Sequence, residues 1–84
     1  MKKVNFRELE IADIEGNLIK TDIAKEFGNL LYMRAENLST AELGRGIYKD
    51  GEAEISEDLV GAVCRIAKDN FVYPVWSAIE KLLK

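Results

Sequence analysis

Apolar residues recur at every second position early in this chain and at every third or fourth position later. That change of period restricts the fold more than any other feature. Val4 and Phe6, Leu9 and Ile11, then Ile19, Thr21 and Ile23 alternate with polar neighbours, the pattern of half-buried strands. The phase slips between Phe6 and Leu9, so residues 3–23 are predicted to form a β-hairpin with a bulge or a bend near Arg7-Glu8. Its turn falls in Asp13-Ile14-Glu15-Gly16-Asn17, where Gly16 and Asn17 both tolerate positive φ.

From Ile23 onward the period is helical. A first helix, capped by Thr21 or Asp22, is predicted to reach about Asn37, with Ile23, Phe27, Leu30, Leu31 and Leu38 on its core face. Arg34 falls on that face too and needs an acidic partner or a route to water. The run Leu30-Leu31-Tyr32-Met33 turns about 100° per residue, so this helix is apolar nearly all round. Such a helix is wrapped by its own domain or half-covered by a second chain. A second helix starts at the capping box Ser39-Thr40-Ala41-Glu42, with Leu38 and Leu43 placed as a hydrophobic staple. It ends at Lys49-Asp50-Gly51, the glycine supplying a left-handed cap. A short extended piece, Ala53-Glu54-Ile55, precedes a third helix capped by Ser56, with Leu59, Val63, Ile66 and Ala67 inward. Pro74 opens a last helix to Lys84, with Val75, Trp76, Ile79, Leu82 and Leu83 on one face and Glu80 paired with Lys84 on the other. The expectation is an α+β fold, an N-terminal β-hairpin packed against three to four short α-helices. Residues 1–84 form a single domain, with the hairpin in 1–22 and the helical part in 23–84.

Composition narrows the function classes. With 12 basic and 15 acidic residues the net charge is -3, which argues against nucleic-acid binding driven by counterion release. The single cysteine rules out an internal disulfide, and the absence of histidine removes the commonest general base and transition-metal ligand. No signal peptide is visible at MKKVNFRELE, and the longest apolar runs fall far short of the roughly 20 residues a bilayer span needs. The chain is therefore expected to be cytoplasmic, with no membrane partner.

Each motif that hints at chemistry has a simpler reading. Asp22-Ile23-Ala24-Lys25-Glu26-Phe27-Gly28 resembles the first half of a helix-turn-helix, but Asn29, Arg34 and Asn37 occupy places that should be apolar. The acidic stretch Asp50 to Glu57 imitates the back half of a calcium loop, yet Gly46 and Tyr48 stand where the first carboxylates belong. Cys64 has no histidine to activate it and reads as a small buried hydrophobe. Gly28, Gly44, Gly46 and Gly61 lie inside helices, each costing about 1 kcal/mol relative to alanine. Either helices approach closely there, or the second helix breaks near Gly44-Arg45-Gly46 and presents Arg45 to a partner. No catalytic, cofactor or metal site emerges, and an enzyme is not expected.

The remaining candidates are surface residues. Tyr32 and Met33 on the first helix, Arg45 on the second, and Tyr73 and Trp76 on the last are the residue types that interfaces favour. They suggest a protein-interaction or assembly module with a protein partner of unknown identity, or with further copies of itself. The alternative is a small transcriptional or nucleic-acid-binding regulator using a local basic patch of Arg34, Arg45, Arg65 and Lys68.

The segment Ile47 to Glu57 joins an Ile-Tyr-Lys-x-Gly turn to Glu-Ile-Ser-Glu at a helix start. In that feature, and in element order, the chain resembles the small acidic α+β proteins of bacterial prophages and related mobile elements. The resemblance implies a phage-encoded accessory protein that acts by binding other proteins, and it carries over no functional residue.

Overall fold

In the computed structural model, which describes residues 2–84, four short strands and four helices follow one another. The order is β1 (Lys2–Asn5), β2 (Leu9–Ala12), β3 (Leu18–Thr21), α1 (Ala24–Arg34), α2 (Leu38–Asp50), β4 (Glu52–Ile55), α3 (Glu57–Asn70) and α4 (Tyr73–Leu83). The fold is α+β, as the change of period predicts.

The hairpin is β2–β3, in register from Leu9 opposite Thr21 to Ala12 opposite Leu18. Gly16 adopts φ +88° in its turn, and the Asp13 carboxylate accepts hydrogen bonds from the Glu15 and Asn17 backbone N–H groups, both at 2.9 Å. The predicted bend near Arg7-Glu8 is more than a bulge, because it takes the chain out of this sheet. β1 pairs antiparallel with β4, Lys2 opposite Ile55 and Asn5 opposite Glu52, so the extended piece at Ala53 to Ile55 is a strand paired across the chain. Between the sheets, Phe6 donates its N–H to the Gly51 carbonyl at 2.8 Å and accepts from the Ile23 N–H at 2.9 Å.

α1 ends at Arg34, three residues short of the predicted limit, because Ala35 turns extended. α2 is capped two residues earlier than expected, by Asn37, whose side chain accepts from the Thr40 N–H at 2.9 Å. Leu38 consequently sits at the start of α2 and is 73% exposed, so it belongs neither to the α1 core face nor to a staple. Gly51 supplies the expected left-handed cap at φ +82°, and Arg7 Nη2 donates to the Lys49 carbonyl at 3.2 Å. α2 runs unbroken through Gly44-Arg45-Gly46. The glycine account therefore holds at two positions only, where Gly28 and Gly44 bring the α1 and α2 backbones together.

The core joins all these elements. Phe6 contacts Phe27 and Phe27 contacts Phe71, at ring centroid distances of 5.3 and 5.5 Å, linking the N-terminal segment, α1 and the end of α3. Leu31, Ile47, Ile55, Val63 and Ile79 pack around them with almost no exposure. α1 is not wrapped all round. Phe27 and Leu31 are buried, Leu30 is half-buried, and Tyr32 and Met33 face outward. Leu82, placed on the α4 core face by spacing, is 46% exposed, while Ile79 and Leu83 are buried. Among the described residues, no helix is long and apolar enough to cross a membrane.

Candidate interaction surface

α4 packs against β2 and β1, leaving a groove of about 820 Å³ beside the hairpin. The hairpin bank carries Glu8, Glu10, Asp13, Ile14 and Leu18, and the α4 bank carries Tyr73, Ala78, Lys81 and Leu82. Ten large apolar side chains are exposed among the described residues, and four of them, Ile14, Leu18, Tyr73 and Leu82, line this one groove. That concentration matters because soluble domains scatter such residues singly.

Tyr73, at 65% exposure, stands on the α4 bank. Its ring meets that of Trp76 edge-on, at 5.0 Å between centroids and 86° between planes. Trp76 itself is half-buried against the core, and the Lys68 ammonium lies 5.2 Å from its ring centroid. Trp76 therefore supports Tyr73 from behind and is no part of the groove lining.

The other sequence candidates sit elsewhere. Tyr32 and Arg45 come together, the guanidinium 5.3 Å from the ring centroid, in a separate cleft of about 520 Å³ shared with Glu36, Leu38 and Glu42. Met33 is 69% exposed and outside that lining. The two aromatic sets thus belong to different surfaces. Three of the four basic residues are engaged by acidic or aromatic neighbours. Arg65 bonds Glu36 at 3.2 Å, Arg45 covers Tyr32 and Lys68 covers Trp76, so acidic and aromatic neighbours interrupt the patch. Arg34 is exposed, which meets its need for a route to water.

Groups with chemical potential are few. Burial pushes the Cys64 thiol above its ordinary value, with Lys84 pulling against that shift and Glu80 adding to it. The nearby cation is thus Lys84, just past the end of α4, which no sequence neighbour of Cys64 could indicate. Backbone hydrogen bonding from Asn17 holds the Asp13 carboxyl below the usual aspartate range. The Thr40 hydroxyl is buried without a partner but lines none of the clefts. Among the described residues, no group of three or more His, Cys, Asp or Glu is arranged to hold a metal ion.

Sequence reasoning missed Ile14, Leu18, Lys81 and the exposure of Leu82. Two signals were present. Ile14 is an apolar residue in a tight turn, and Leu18-Ile19 breaks strand alternation, placing one apolar side chain on each face of β3. No family model, curated protein or solved structure compared with this chain gives a match.

Proposed function

We propose that this chain is a non-catalytic protein-interaction module that docks through the groove between the β2–β3 hairpin and α4. The observation that carries this reading is the gathering of Ile14, Leu18, Tyr73 and Leu82 in one groove with charged banks. Burying such side chains against a partner contributes roughly 25 cal/mol per Å² of apolar surface removed from water. The charged rim around them is the usual anatomy of a protein contact. The accessory role of prophage and mobile-element proteins, implied by the Ile47 to Glu57 resemblance, belongs to the same proposal.

Amine-reactive crosslinking in the source cells, followed by mass spectrometry, tests this reading. Crosslinks are expected at Lys81 and at Lys20, the cross-strand neighbour of Glu10. They should disappear in a folded Leu18→Asp, Tyr73→Asp double variant. Crosslinks confined to lysines away from the groove, such as the exposed Lys25 and Lys49, or unaffected by the double variant, would refute it.

A further inference from the structure

Resting on the docking reading above, we infer that the groove's occupant is a second copy of this chain, packed face to face about a two-fold axis running along the groove.

The distribution of charge is the ground for this choice. The hairpin bank carries the carboxylates Glu8, Glu10 and Asp13, and the α4 bank carries the Lys81 ammonium. β1 adds Lys3, which already pairs with Glu52 at 3.6 Å. Asp13 spends its hydrogen-bonding capacity on its own turn. Glu10 has Lys20 as its cross-strand neighbour, but the two do not form an ion pair. Glu8, Glu10 and Lys81 join no ion pair among the described residues, although all line the same groove. Opposite charges thus face each other across an apolar strip without meeting.

A two-fold axis along the groove sets the partner's α4 over this chain's hairpin and this chain's α4 over the partner's hairpin. Lys81 then meets the acidic bank of the other copy, and the contact occurs twice, because an isologous interface repeats every pair. Ile14 and Leu18 of each copy then meet Tyr73 and Leu82 of the other, and all of them leave water. An axis across the groove would instead oppose acid with acid and base with base. Self-complementary charge of this kind fits a copy of the chain, whereas an unrelated basic or acidic segment would match only one bank. The domain's size also favours association, since a core of this extent leaves a small stability margin that dimerisation increases.

The test is sedimentation velocity and light scattering on the full chain across a concentration series, with circular dichroism on every variant. The wild type is expected to show a reversible monomer–dimer equilibrium with a Kd of roughly micromolar order. Leu18→Asp, at a position already exposed, should leave the fold intact and abolish the dimer. Glu10→Lys and Lys81→Glu should each weaken the dimer roughly tenfold or more, because each creates two like-charge contacts. An equimolar mixture of those two variants should recover dimer at wild-type affinity. In the mixed dimer the two substituted side chains face each other with opposite charge, while the unchanged Lys81 of one chain pairs with the unchanged Glu10 of the other. A wild type that stays monomeric up to about 1 mM overturns the inference while leaving the crosslinking test of a different partner intact. A mixture no tighter than either variant alone overturns it too. So does a dimer indifferent to the bank charges but abolished by Ile19→Asp, which would move the contact to the opposite face of the hairpin.

Discussion

A Cβ on Gly44 would lie 2.6 Å from the Gly28 carbonyl oxygen and 2.8 Å from the Tyr32 backbone nitrogen, and one on Gly28 would meet the Tyr48 and Gly44 backbones as closely. These contacts are with main chain, so relief requires the two helices to move apart. Gly46 and Gly61 have no atom within 4 Å of the same position. Gly44→Ala is therefore expected to lower stability by about 2–3 kcal/mol, overriding its gain in helix propensity. Gly46→Ala and Gly61→Ala should raise stability by up to about 1 kcal/mol each. Urea denaturation of the three variants checks both signs. The sequence marks all of these glycines as costly in a helix but cannot separate them, because close approach is a property of two segments.

At the scale of elements, the ends of helices and turns give separable expectations. Asn37 caps α2 through its side chain, whereas Ser39, the residue favoured by local pattern, lies inside the first turn. Asn37→Ala should cost about 1 kcal/mol and Ser39→Ala much less, readable as a difference in thermal midpoint. In the hairpin, the folded Asp13 carboxyl is held below its unfolded value, chiefly by the Asn17 backbone N–H. A depressed folded pKa contributes stability above the unfolded value and loses it as pH falls through the folded one. The Asn17 amide should therefore exchange faster, relative to intrinsic rates, only in acid below the ordinary aspartate range, and Asp13→Asn should remove that pH dependence. Both features show how legible the elements are. The turn residues, the Gly51 cap and Pro74 at the start of α4 act on their immediate neighbours, so they can be read from the chain. The start of α2 is less legible, because Asn37 and Ser39 are both competent caps and the choice depends on where the chain leaves α1.

For the whole molecule, the Phe6–Phe27–Phe71 contacts and the β1–β4 pairing tie the first residues to the second half of the chain. Phe6 is fully buried, and Phe6→Ala should cost about 3–5 kcal/mol, a large part of the stability of so small a domain. The near-ultraviolet circular dichroism of Trp76, distant in sequence, should collapse with the same thermal transition. Trp76→Ala is expected to destabilise the fold, while Tyr73→Ala, at the exposed edge of the same aromatic pair, should leave the melting point of the dilute monomer nearly unchanged. A large loss of stability in the dilute Tyr73→Ala monomer would mean that its ring serves the core and not the groove.

The order and type of the elements, the hairpin turn and the end of α2 follow from the sequence alone. Each depends on periodicity or on residues a few positions apart, and such interactions exist before the chain has a shape. The partner of β1, the contact of Gly28 with Gly44, the burial of Trp76 behind Tyr73 and the facing banks of Glu10 and Lys81 were decided by tertiary structure. These pairings join segments far apart in the chain, and closing the loop between them costs entropy that only the packed core offsets.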